Sequence, residues 1–165
     1  MKKALAIILC AVAVCFASCN KEPEEKPNQR FVGNYSGDVT ANFNISALGQ
    51  AVPMEPVEMP MTMSITAGSN DNEIVAICTI QEEARTLTGT VNGDAVDFSP
   101  LVINENIEGS QVNITIDLDG NKVSENTLNV AGNMSGEGTL LVEGYPIPVT
   151  MTGTASGVLN KLVAE

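Results

Sequence analysis

Pro56-Val-Glu-Met-Pro-Met-Thr-Met-Ser-Ile65 (PVEMPMTMSI) puts methionine at alternate positions, Met59, Met61 and Met63, in a chain that has seven methionines among 165 residues. Successive side chains of an extended strand point to opposite faces. The pleat therefore sends Val57, Met59, Met61, Met63 and Ile65 to one face and Glu58, Pro60, Thr62 and Ser64 to the other. One apolar and one polar face is the pattern of a half-buried β-strand. Pro60 has no N–H to donate, which makes this an edge or bulged strand, or one that turns that position away from its neighbour. Three uses compete for the thioethers: core packing, an adaptable pocket wall, and a soft Cu(I) site. Copper capture wants mobile, solvent-reachable sulfurs, whereas Val57 and Ile65 continue the same face with no metal chemistry. Packing is favoured over a pocket wall, and both over copper.

The same period of two runs through the chain from Phe31 onward, interrupted at short intervals by Gly, Asn and Asp. Val39, Ala41, Phe43 and Ile45 alternate with polar neighbours, and Val112, Ile114, Ile116 and Leu118 do the same. Ile74–Ile80 is apolar on both faces, as in a central strand. Asn92-Gly93-Asp94 suits a tight hairpin, and Gly68–Asn72, Asp119-Gly120-Asn121 and Glu143–Pro146 read as further turns. Gly132, Gly136 and Gly138 suggest a bulge or sharp bend before Thr139–Val142. The spacing predicts roughly eight to ten strands. The fold class is all-β, an antiparallel β-barrel of about eight strands, with a β-sandwich as the alternative. Only Val158–Val163, within the tail 158–165, reads as a short helix. Asn34–Thr40 and Asn133–Thr139 echo one another, as do Pro53–Met59 and Pro146–Met151, suggesting two similar hairpins that open and close the sheet.

The first eighteen residues have two lysines, an apolar run from Ala4 to Phe16 and then small residues, a secretory signal too short to span a bilayer. Phe16-Ala17-Ser18-Cys19 resembles the lipobox of bacterial lipoproteins, which implies cleavage before Cys19 and lipidation of that cysteine. Two or three acyl chains would hold the protein to the outer membrane, at about 0.8 kcal/mol per buried CH₂. Polar, proline-bearing residues to Asn28 read as a flexible tether over 19–30, leaving 31–157 as the barrel domain. The acidic cluster after Cys19 resembles the signal that sends some lipoproteins to the cell surface.

Losing Lys2 and Lys3 with the leader takes the net charge from −12 to −14, and no basic cluster interrupts it, so nucleic acid is excluded as a partner. Of four cysteines, Cys10 and Cys15 leave with the leader and Cys19 takes lipid. Cys78 remains, in an apolar strand, so stability is expected from packing rather than a disulfide.

Gly33-Asn-Tyr-Ser-Gly37 and Val149-Thr-Met-Thr-Gly153, with alternating strands between, resemble the calycin-like domain of small bacterial lipoproteins, a relative in shape of the lipocalins. Tyr35 stands where the lipocalin opening motif Gly-x-Trp has the tryptophan that closes one end of the barrel. The resemblance implies a barrel and no defined activity.

No histidine occurs, which removes Ser-His-Asp and Cys-His catalysis and imidazole metal sites. Glu82-Glu83 and Asp94 with Asp97 are paired carboxylates, but the aromatic platforms of a sugar-cleaving cleft are missing. Asp117-Leu-Asp-Gly-Asn121 resembles the start of a calcium loop and then has Lys122 and Leu128 where that loop needs glycine and glutamate. The expectation is a non-enzymatic envelope lipoprotein without cofactor or metal. Two functions remain open. One is binding of a small apolar ligand or peptide against Met59, Met61, Met63, Met134 and Met151. The other is a filled core, with surface loops, above all Ser46–Glu55, contacting an unknown envelope protein.

Overall fold

The computed structural model describes residues 25–80, 82–107, 110–142 and 144–162; the leader and Cys19 lie outside them. Ten strands are present among the described residues: β1 (Gly33–Ala47), β2 (Gln50–Pro53), β3 (Val57–Ala67), β4 (Glu73–Ile80), β5 (Glu83–Asn92), β6 (Ala95–Phe98), β7 (Leu101–Ile107), β8 (Ser110–Ser124), β9 (Thr127–Val142) and β10 (Tyr145–Lys161). Eight of them, β1, β3, β4, β5, β6, β8, β9 and β10, follow one another as antiparallel neighbours, and β10 pairs back onto β1. The sheet is a closed barrel rather than a sandwich. The other two strands are appendages: β2 adds to the far end of β1 and β7 to the far end of β8. Outward-facing residues such as Asn129, Asn133, Thr152 and Thr154 are polar and exposed, the reverse of the apolar band of a membrane-crossing barrel.

Several expectations change at the strand ends. Val158–Lys161 continue β10 instead of forming a helix, because Val158 and Leu159 pair with Asn129 and Leu128 on one side and Asp38 and Gly37 on the other. The barrel thus runs to Lys161. Asp119-Gly120-Asn121 is mid-strand in β8, and the chain turns instead at Glu125–Asn126. Gly120 faces inward, where a Cβ would lie 2.7 Å from the Val96 side chain. Gly132, Gly136 and Gly138 lie in one unbroken strand, β9. The expected loop Ser46–Glu55 is mostly a tight hairpin: Leu48 and Gly49 take positive φ, and β2 folds back on β1. Pro60 pairs with Asp38 of β1 and sits one residue past the end of the β3–β4 ladder at Met61–Ile80, so its missing N–H costs no bond. The two echoed methionine strands flank β1, with Met59 opposite Val39 and Met151 opposite Ile45.

One end of the barrel is plugged. Pro27–Arg30, expected to belong to the tether, join Phe31 in a 3-10 turn that lays Phe31, fully buried, across the opening. Asn28 is buried beside it; its Nδ2 donates to the carbonyls of Asn70 (2.9 Å) and Glu73 (3.0 Å), and its N–H to Asp71 (3.1 Å). The Tyr35 hydroxyl donates to the Phe31 carbonyl at 3.0 Å. Lys122 and Lys161 place their ammonium groups 6.0 Å from the centroids of the Phe31 and Tyr35 rings. Beneath the plug Ile65, Ile74, Leu128 and Leu159 are fully packed.

Phe31→Ala should lower stability by about 3–5 kcal/mol, read from urea unfolding, while Phe31→Leu, which keeps most of the volume, should cost much less.

Candidate functional site

The opposite end is built differently because the barrel wall is uneven. β1, β8, β9 and β10 have 15, 15, 16 and 17 residues, whereas β3, β4 and β5 have 11, 8 and 10. The long strands stand past the short ones, and inward side chains near their far ends find nothing opposite. On β9 and β10 the inward positions Gly136, Gly138 and Gly153 add no side chain to fill the space. A Cβ at Gly138 or Gly153 would lie 2.3 Å from the carbonyl oxygen of Gln111 or Asn42, so the coiling of this wall requires glycine there.

The result is a cavity of about 410 Å³. Its floor is Cys78 of β4, Ile116 of β8 and Met134 of β9; Phe43, Met59 and Ile80 form one side, Leu101, Ile103 and Ile114 another. Glu83 and Arg85 of β5 sit at its rim, joined at 2.7 Å. That ion pair is half open to water and contributes little to stability. Burial pushes the Cys78 thiol up to about 11 from an ordinary 9.0, so it stays neutral and behaves as an apolar surface. Away from that rim the lining is apolar.

The methionine face of β3 divides between the two halves. Met61 and Met63 are packed in the core, at 2% and 1% exposure. Met59 lines the side of the cavity, and Met134 belongs to its floor. Met151 faces inward on β10, half-buried, but is not part of the lining. Phe43, Ile80, Leu101, Ile103, Ile114 and Ile116 join the lining without any motif that marks them as site residues. Strand parity marks each as inward, but parity cannot say which inward positions stand above the packed half.

Apolar side chains also crown this end: Leu48 and Tyr145, each 73% exposed, with Met54. A larger concavity of about 650 Å³ lies at the plugged end, lined by Arg30, Lys122 and Lys161 among others. Its cations hold the plug: Arg30 pairs with Asp94 at 2.6 Å and the Lys122 ammonium donates to the Arg30 carbonyl. Burial, then the charges of Lys161 and Arg30, hold Lys122 below the usual lysine range.

No family model matches the chain. No curated protein matches it either. Among solved structures, a protein of unknown function from the DUF3598 family of Nostoc punctiforme aligns at TM-score 0.42 and 11% identity, over 81% of this chain and 48% of its own length. The monomer form of the PknI sensor domain of M. tuberculosis aligns at TM-score 0.32 and 11% identity, over 75% of this chain and 84% of its own. The barrel itself rests on the strand register.

Met63→Ala should cost about 2–5 kcal/mol in urea unfolding, whereas Met59→Ala, at the edge of a space already open, should cost about 1 kcal/mol or less. Cys78 should resist alkylation at pH 8 until denaturant is added. Its raised pKa means the neutral thiol favours the fold fully below pH 9 and less as pH climbs toward 11. The stability gap between wild type and Cys78→Ala should therefore narrow across that window.

Proposed function

We propose that this protein is a lipid-anchored, lipocalin-like barrel of the cell envelope that takes an apolar guest, a small molecule or the side chains of a peptide, into the open half of its interior. No covalent step is involved. The observation that carries the reading is the cavity of about 410 Å³, within the range of small-molecule sites and lined mainly by aliphatic, methionine and phenylalanine side chains. Methionine suits such a wall because its unbranched thioether adapts to varied shapes.

The attachment of the chain supports the same orientation. Glu25 lies at the plugged end, so a lipid on Cys19 would tie that end to the outer membrane by six residues, a reach of about 20 Å. The mouth would then face away from the bilayer, toward arriving guests. A second reading, an interaction protein acting through its surface, draws on the exposed Leu48, Met54 and Tyr145 around that mouth.

The chain has no tryptophan, so an introduced one reports on the cavity directly. The delipidated protein should bind about one equivalent of an apolar fluorescent probe, and Ile114→Trp, which fills the space, should weaken binding at least tenfold with the fold intact by circular dichroism. Absence of probe uptake, together with a lipid-free denatured extract, would remove the binding reading and leave the surface one.

A further inference from the structure

The ring of strands is joined all round near the plug, but at the open end one pair of neighbours parts. β5 and β6 pair only over Gly89–Asn92 and Ala95–Phe98. The last contacts across this line are the Ser99 N–H to the Thr88 carbonyl, 2.7 Å, and the Thr88 N–H to the Ser99 hydroxyl, 3.2 Å. Beyond them β7 stays with β8, and no pairing joins β7 to β5 among the described residues. The register explains the parting. Between the pairs Val96–Gly120 and Leu101–Ile116, five steps along β6 and β7 match four along β8. One extra residue is therefore inserted at Ser99-Pro100, and Pro100 has no N–H to carry the ladder on.

The parting leaves two backbone edges facing one another over the cavity. Thr88 aims its N–H and carbonyl at the seam, and strand alternation repeats that direction at Thr86 and Ala84. On the other side, the Lys122 N–H bonded to the Asp94 carbonyl shows that even-numbered β8 residues face this neighbour. Ile116 and Ile114 thus take up the backbone groups of Leu101 and Ile103, and those of Val102 and Asn104 face the seam. Ala84, Thr86, Val102 and Asn104 are all exposed. The residues between them, Arg85, Leu101 and Ile103, point inward and line the cavity.

We propose that this seam is a strand-insertion site, taking an extended peptide segment of a partner protein between β5 and β7. The segment hydrogen-bonds to both edges and lowers every second side chain into the cavity; its other side chains face water. β5 and β7 run in opposite directions, so the inserted strand is antiparallel to one and parallel to the other. The inference rests on the cavity being a binding site.

Charge selects the occupant. Glu55, Glu58, Glu82 and Glu83 are exposed at the open end, where Arg85 is the one cation among the described residues and is paired with Glu83. Lys26, Arg30, Lys122 and Lys161 all lie at the plugged end. A peptide with apolar residues at alternate positions and lysine or arginine at the outward ones complements both the cavity and its rim. Glu25, the first described residue, lies at the opposite end of the barrel. The inward charges of Glu83 and Arg85, with Pro100, also discourage the edges from pairing indiscriminately with second copies.

The test uses amide exchange by NMR on the purified protein with a nine-residue peptide of alternating valine and lysine, its analogue N-methylated at alternate residues, and an apolar fluorescent probe. In the free protein the amides of Ala84, Thr86, Val102 and Asn104 should exchange much faster than those of Val91 and Val130. The peptide should slow all four at least tenfold and displace the probe, and the N-methylated analogue should bind at least tenfold more weakly. Four amides already protected in the free protein, or equal binding by the N-methylated analogue, would overturn the proposal. Probe uptake without protection by the peptide overturns strand insertion and leaves the cavity reading standing. Failure of both overturns both.

Discussion

The structure depends on one long-range closure, the pairing of β1 with β10 from Tyr35 opposite Lys161 to Ala47 opposite Val149. Without it the chain would be an open sheet with two edges of 15 and 17 residues, each a template for aggregation. Closing the ring joins the two ends of the domain, so loop entropy must be overcome before this contact contributes any stability. Closure also imposes curvature. The inward glycines of β9 and β10 permit that curvature by letting neighbouring backbone come within distances that a Cβ would forbid. The same glycines subtract volume from the interior.

Curvature and uneven strand length together divide the interior in two. Around the plug, Phe31 and Tyr35 meet Ile65, Ile74, Leu128 and Leu159, and the packing is continuous. The aromatic rings there are tied by the Tyr35 hydroxyl and overlain by two lysines, which closes the end against water. At the other end β3, β4 and β5 stop short and a cavity remains. A rigid closed base and an open top are physically linked. The base supplies enough buried surface to hold the fold, and the top can then leave apolar side chains without partners. Such exposure is costly for a protein that has no use for it, which is why the open half carries the functional reading.

Strand parity was legible in the sequence to a large extent. Met61, Met63 and Ile65 face inward where alternation places them, whereas Ile74–Ile80, expected to be buried on both faces, buries Ile74, Ala76 and Cys78 and leaves Ile77 49% exposed on the outer face of the barrel. Turns were legible where a positive φ is required, as at Gly93. They were misread at Asp119-Gly120-Asn121, because Gly120 serves there as the small inward residue beneath Val96 rather than as a turn former. Gly132, Gly136 and Gly138 misled in the same way. Glycine has the same local signature whether it turns the chain or admits a close neighbour, and only the neighbour distinguishes the two. The tail Val158–Lys161 shows the reverse error, where pairing on both sides overrode a local pattern compatible with helix.

The sequence by itself determined the strand class, the inward face of the alternating strands and the absence of histidine chemistry, because pleating and composition are local or global properties of one chain. The tertiary structure decided which end is full. Met59 and Met63 are identical in type, four residues apart and on the same face, yet one lines a cavity and the other is packed among core residues. What separates them is how far β4, β5 and β8 reach opposite each position, and that is set by register between residues distant in sequence.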